Sequence, residues 1–166
     1  MSKFDKLIER EFLPFWNYAK LAHRNGFRKE GSHSVPQCEH LAEVHLMVLH
    51  HFDSLGIRDI GMGMFRFGLG IVSLLHDLLE DTDVTREVLE NDLLQLVPGD
   101  SVVDKSVRHV VLECVCSLTD VFTKEAYPDL NRAKRKKQET LRLADCSYPN
   151  IVHPVKMCDH ISNYYS

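Results

Sequence analysis

Ile71-Val72-Ser73-Leu74-Leu75-His76-Asp77-Leu78-Leu79-Glu80-Asp81-Thr82 is the most informative stretch of this chain. On a helix at about 100° per residue, Ile71, Val72, Leu74, Leu75, Leu78 and Leu79 fall on one half. His76, Asp77, Glu80 and Asp81 fall on the other. One turn separates His76 from Glu80, and one turn separates Asp77 from Asp81. The polar half thus gathers an imidazole and three carboxylates with no lysine among them. An ordinary solvated face mixes signs, because stacked like charges repel. A bound cation would offset that repulsion. A plain acidic surface is the alternative, and this stretch alone leaves both open. An adjacent His-Asp pair supplies one nitrogen and one oxygen ligand, a mixture that suits Mn²⁺, Fe²⁺ or Zn²⁺ better than Ca²⁺. Two ligands are too few. Candidates for the rest are His40, His45, His50 and His51 on an earlier helix and Asp159 on the last.

Helical patterning extends outward from this stretch, and strand signals are poor. Helices are expected over residues 4–23 (bent near Pro14), 38–52, 65–80, 85–96, 102–118, 131–143 and 155–163. Thr82 or Asp83 would cap the helix over 85–96. Asn25-Gly26 and residues 31–36 read as loop, and residues 97–100 as a turn. The expected fold is all-α, with about six or seven helices. At 166 residues, the chain fits one domain over residues 1–166 and can bury a core without staples.

Composition narrows the function classes. Apolar residues make up 44% and charged residues 27%, with a net charge of −4. No global basic field points to nucleic acid or an anionic membrane as partner. No unbroken apolar run reaches the length of about 18 residues that spans a bilayer. The N-terminus MSKFDKLIEREF is charged throughout and lacks the apolar centre of a secretory signal. Cys38, Cys114, Cys116, Cys146 and Cys158 have no paired zinc spacing and read as reduced thiols in a cytoplasmic protein, Cys114 and Cys116 as core residues. The glycine-rich run from Gly61 to Gly70 has no Lys-Ser/Thr after it and no strand before it, so it is not a P-loop. Residues 131–138, NRAKRKKQ, concentrate five basic side chains. A solvated helix face, attraction for an anionic ligand and nucleic-acid contact are the three readings, in that order.

His76-Asp77 followed by Glu80-Asp81-Thr82 resembles the HD-domain signature of the alarmone hydrolases, the hydrolase half of RelA/SpoT proteins and their small Mesh1-type relatives. Other blocks carry the resemblance in the same order. Residues 22–31 (AHRNGFRKEG) look like the family's helix and Arg-Lys-x-Gly loop. His40 in QCEHLAEV looks like its first metal histidine. Thr82 to Thr85 continue its EDTxxT pattern, Leu118-Thr119-Asp120 resembles its VTxx step, and residues 131–138 its basic helix. Residues 155–163 (VKMCDHISN) resemble its VKLADRLxN helix. The likeness runs from about residue 19 to residue 163.

The resemblance implies an HD-domain helical bundle and a set of roles. His40, His76, Asp77 and Asp159 would hold one divalent ion, Mn²⁺ in this family. Glu80 and Asp81 would position and activate the attacking water. Arg28 and Lys29 would meet the nucleotide, and Asn163 would contact substrate or an outer-shell group. The implied reaction removes pyrophosphate from the 3′ position of ppGpp or pppGpp. A phosphohydrolase of another nucleotide (NADPH 2′-phosphate, a nucleoside monophosphate or a cyclic nucleotide) and a non-catalytic metal- or nucleotide-binding homologue are the alternatives. The implied partner is a small nucleotide, with no membrane and no nucleic acid; a homo-oligomer is left open. His50, His51 and His153 read as structural or surface residues. The chain departs from the pattern in a longer loop before His40 without Pro-Tyr, in His160 where the family has Arg or Lys, and in insertions around residues 56–70 and 97–127. Family members usually continue past the last helix, so the expectation is a domain lacking those C-terminal helices.

Overall fold

A computed structural model describes residues 3–30, 33–56 and 62–165, without the side chains of Lys3, Lys29, Glu30, His33 and Tyr165. The helices are α1 (Leu13–Ala22), α2 (Gln37–Ser54), α3 (Met62–Leu75), the single turn α4 (Leu78–Asp81), α5 (Arg86–Leu96), α6 (Val102–Leu118), α7 (Arg132–Ala144) and α8 (Pro149–Tyr165). Among the described residues, seven are longer than one turn, so the fold is the all-α bundle expected. The central helix is α3, buried from Gly68 to Leu75. It packs against α1, α2, α6 and α8. The stretch Met62–Asp81 has the mean hydropathy of a membrane span, 1.3, yet more than half of it is buried within the bundle. Its first part, α3, is the core helix of this fold, and α2 is followed by Gly56 at φ +65°.

Four local expectations need correction. Pro14 starts α1 instead of bending a longer helix. A proline's missing N–H and fixed φ are harmless in a first turn, and two 3₁₀ turns, Lys3–Lys6 and Arg10–Phe12, precede it. The segment read as loop is a hairpin of β1 (Phe27–Glu30) and β2 (His33–Pro36), with Arg28 opposite Val35. Four-residue strands are too short to show a clear period of two. Gly31, of the Arg-Lys-x-Gly block, lies outside the described residues. The helix expected over 85–96 is capped by Thr85, whose side chain accepts from the Val88 amide. Thr82 instead closes α4, donating to the Leu78 carbonyl and accepting from the Val84 amide. Finally, α8 begins at Pro149 and carries Pro154 inside it. The carbonyl that Pro154 leaves unpaired belongs to Asn150, an exposed residue, where water can satisfy it.

The break between α3 and α4 matters most. One unbroken helix was expected across His76-Asp77, but these two residues form a turn. Asp77 sits at φ −95°, ψ 4°, and its carbonyl accepts from the amides of Glu80 and Asp81. Apolar periodicity is blind to such a turn, because the leucines on either side remain buried or half-buried.

Packing around Gly70 is tight. A Cβ there would lie 2.5 Å from two ring carbons of Phe12, which is fully buried. Gly70→Ala therefore gains some helix propensity but forces a buried ring to move. We expect a net loss of about 1–2 kcal/mol in urea unfolding. A variant as stable as the wild type would show that the Phe12 ring can shift freely.

All five cysteines are free. Burial pushes the Cys114 thiol up to about 12, which makes it an inert core residue.

Candidate metal centre

Three elements converge on one point. Helix α2 brings His40, the α3–α4 turn brings His76 and Asp77, and α8 brings Asp159. One potential ligand atom from each lies within 4.8 Å of all the others. The two imidazoles meet edge to face, ring centroids 5.3 Å apart. His40 Nε2 is 3.1 Å from Asp159 Oδ1 and 3.6 Å from Asp77 Oδ2. His76 Nε2 is 3.2 Å from Asp77 Oδ1 and 3.9 Å from Asp159 Oδ1. His40 and His76 are buried at 1% and 2% exposure.

The donor chemistry fits a divalent cation. His76 Nδ1 lies 2.8 Å from the Ser73 carbonyl oxygen, which can only accept. The ring proton is therefore on Nδ1, and the Nε2 lone pair faces the cluster. That Nε2 is a buried polar atom with no hydrogen-bond partner. Buried polar atoms without partners are uncommon and call for an explanation. A cation between this lone pair, its counterpart on His40 and the two carboxylates satisfies all four. Both carboxyls are ready ligands. Burial opposes charge on Asp159, but the His40 hydrogen bond and the charges of His76 and Lys156 hold it well below the usual range. Burial likewise opposes charge on Asp77, and the adjacent His76 more than offsets it. The N₂O₂ set suits Mn²⁺, Fe²⁺ or Zn²⁺. The bundle thus carries a His/Asp site able to bind a divalent metal.

The other candidates surround a cleft of about 910 Å³ that opens over the cluster. Glu80 and Asp81 stand on its wall, one turn beyond the ligand pair. Burial of its carboxyl, together with the charges of Asp120 and Asp77, raises Glu80 to about 7, against the pull of the Asp120 amide and Lys156. That amide donates to Glu80 Oε1. The next two amides, Val121 and Phe122, donate to the buried Glu139. Asp81 is raised by burial and then by the Asp77 charge. Arg28, on β1, donates to Asn163 Oδ1, and Asn163 Nδ2 donates to Asp159 at 2.5 Å. Lys29 also lies on β1, but its side chain is outside the described part.

Some residues at this site carried no role in the sequence reading. Gln37, the first residue of α2, donates to Asp81 at 2.7 Å and to Asp77 at 3.3 Å. It lies three residues before His40, so helical spacing was the signal that could have found it. Lys156, three residues before Asp159, sits 3.4 Å from its carboxylate. Burial lowers its ammonium, but Asp159, Glu80 and Asp120 more than offset that. Of the basic helix, Arg132 and Lys136 line the cleft, whereas Arg135 donates to the Leu130 carbonyl. The cleft therefore has acidic and basic walls.

Not every histidine belongs here. His45 is buried elsewhere, hydrogen-bonded to the Gly70 carbonyl and Ser73 hydroxyl, and burial lowers it to about 4. His50, His51 and His153 are exposed.

No family model matches the sequence, and no curated protein matches it. Among solved structures, the chain is similar to a metazoan ortholog of SpoT that hydrolyzes ppGpp and plays a role in starvation responses. The TM-score is 0.61 at 23% identity, over 94% of this chain and 69% of that one. At that identity the likeness speaks for the fold, which is HD-domain-like.

Proposed function

We propose that the chain is a metal-dependent nucleotide phosphohydrolase, and that its reaction is removal of pyrophosphate from the 3′ position of ppGpp or pppGpp with Mn²⁺. One observation carries the reading. A buried His₂Asp₂ cluster lies at a cleft that also presents Glu80 and Asp81 and the cations Arg28, Arg132, Lys136 and Lys156. A binding protein needs the cluster or the cations; hydrolysis needs both and an acid–base group between them. The metazoan SpoT ortholog hydrolyzes ppGpp on the same fold, which is why that substrate is named.

His40, His76, Asp77 and Asp159 would hold a divalent ion, which would supply Lewis acidity and lower the pKa of water from about 16 to about 7. Glu80, near neutrality in its own pKa, accepts a proton from the attacking water. Asp81, fixed by the Gln37 amide, orients that water. Water adds to the phosphorus bonded to the ribose 3′ oxygen, and that bond breaks. Lys156, Arg132 and Lys136 offset the negative charge of the phosphoryl oxygens. Arg28 meets the nucleotide from the hairpin, and Lys29 follows it on the same strand. Asn163 holds Arg28 over the cleft and orients Asp159.

The test is a panel of ppGpp, pppGpp, NADPH, nucleoside monophosphates and cyclic nucleotides, incubated with the Mn²⁺-loaded protein. The expected result is pyrophosphate release from ppGpp and pppGpp. Turnover of another nucleotide instead keeps the reaction class and replaces the substrate. No turnover of any nucleotide, with metal bound, leaves a non-catalytic binder.

A further inference from the structure

We propose that Glu139 and Arg142 are positioning residues for Glu80: together they clamp the loop that leaves α6, so that its Asp120 amide holds one oxygen of the Glu80 carboxylate. The loop begins where α6 ends, as Thr119 turns to extended backbone at φ −66°, ψ 126°. Three consecutive amides follow, and each finds a carboxylate. The Asp120 amide donates to Glu80 Oε1. The Val121 and Phe122 amides donate to Glu139 Oε2 at 3.3 and 3.0 Å. Arg142, one turn after Glu139 on α7, holds the same loop by its carbonyls. Its Nε donates to Glu139 Oε1 at 2.6 Å, and its Nη2 donates to the Ser117 and Thr119 carbonyls at 2.8 and 3.1 Å.

Physical chemistry makes this more than an ornament of the surface. The last carbonyls of a helix have no partner within it and form its negative end. Helix α6 has no basic residue in its own last turn, so the guanidinium from α7 takes that place. Asp120 and Val121 are exposed, so apolar burial does not anchor them and hydrogen bonds must. Glu139, by contrast, is only 8% exposed, and each of these contacts brings it a donor. Hydrogen bonds to a charged group are the stronger kind. Glu80 itself is on the single turn α4, and a glutamate side chain is rich in rotamers. The Asp120 amide selects one arrangement, with Oε2 left to take a proton. An amide can select only if its own position is fixed, and the Glu139–Arg142 pair fixes it.

The inference rests on the hydrolase reading, in which Glu80 takes the proton from water. A double-mutant cycle on the full chain tests it, with Mn²⁺ and ppGpp, or with whichever nucleotide the wild type turns over. Glu139→Ala should lower kcat by about 10–100-fold, the scale of a small misplacement at the reacting centre. KM and Mn²⁺ affinity should stay within about threefold of wild type, because Glu139 is neither in the group of four nor on the cleft wall. In a Glu80→Gln background the same substitution should cost less than about twofold more, since the base it positions is already gone. Glu139→Gln keeps an acceptor oxygen and should lose less than Glu139→Ala. Arg142→Lys keeps the charge but not the planar fork, and should lower kcat in the wild-type background only. If Glu139→Ala does not fold, these two variants carry the cycle. Amide hydrogen exchange gives a readout without turnover: the Asp120 and Phe122 amides should exchange at least about tenfold faster in Glu139→Ala than in wild type. An equal loss of kcat in both backgrounds makes the pair a plain support of the fold and overturns the proposal. So does an unchanged kcat in every variant. Both results leave the hydrolase reading standing. A metal-loaded wild type that turns over no nucleotide removes that reading, and the positioning role falls with it.

Discussion

Asp77→Ala loses divalent-metal binding and, with it, hydrolysis. The carboxylate of Asp77 sits 3.2 Å from His76 Nε2 and 3.6 Å from His40 Nε2, so its removal strikes the middle of the cluster. One ligand goes, and the remaining two lone pairs and one carboxylate lose half of the negative charge that attracts a dication. Mn²⁺ affinity should fall by more than about 100-fold, beyond the loss expected for an outer partner, as read by titration calorimetry. The same residue sets the pH dependence. Burial lowers the His76 pKa, but the charge of the adjacent Asp77, with that of Asp159 behind it, more than offsets it, and the net direction is upward. A raised histidine pKa means that protons compete with metal over a wider range. Wild-type Mn²⁺ affinity should therefore decline as pH falls through that pKa, by about tenfold per unit for one displaced proton. Retention of Mn²⁺ by Asp77→Ala within threefold of wild type would sink the cluster as the binding site.

Glu80→Gln separates chemistry from metal binding. Glu80 is outside the group of four that would hold the ion, and a glutamine carbonyl can still accept from the Asp120 amide. Mn²⁺ affinity should change little. The hydrolytic rate should drop by about 10²–10⁴-fold, the contribution of a positioned acid–base group. The pH profile gives a sharper reading. Glu80 must be ionised to take a proton, and burial raises it to about 7; a nearby dication pulls it down again. The acid limb of the wild-type rate should thus lie at or below pH 7, and Glu80→Gln should abolish it. Stability follows the opposite sign. A carboxyl with a raised folded-state pKa favours the fold at low pH and loses that contribution as pH rises through about 7. Metal-free Glu80→Gln should therefore melt higher than metal-free wild type at pH 8. A variant with wild-type rates and an unchanged acid limb assigns the base elsewhere.

Much of the bundle was legible because apolar periodicity reports burial directly. Helix α6 appears over the residues its pattern specifies, with Ser101 and Asp104 forming a reciprocal cap. The four residues of the cluster were named from the sequence, His76 and Asp77 by their adjacency, His40 and Asp159 by motif resemblance. What periodicity could not carry was local hydrogen bonding. The turn at His76-Asp77 depends on the Asp77 carbonyl and the His76 ring, neither of which a hydrophobic wheel weighs. The paired strands Phe27–Glu30 and His33–Pro36 are too short for a two-residue period to declare itself. Gln37 and Lys156 each stand one turn before a residue of the cluster, so spacing pointed to them, but that Gln37 meets Asp81 and Asp77 is a tertiary fact. The basic helix was visible as a charge run, yet only Arg132 and Lys136, one turn apart, face the cleft.

His40 and Asp159 lie 119 positions apart, and His76-Asp77 falls between them. An ion at the centre would therefore be a cross-link as well as a reagent. It would staple the last helix to the middle of the chain across most of its length. A ligand that binds only the folded form adds about 2.7 kcal/mol when its concentration is a hundred times the dissociation constant. A domain of ordinary stability has about 5–15 kcal/mol in total. The supply of the metal would then set how long the folded chain survives, quite apart from how fast it turns over substrate.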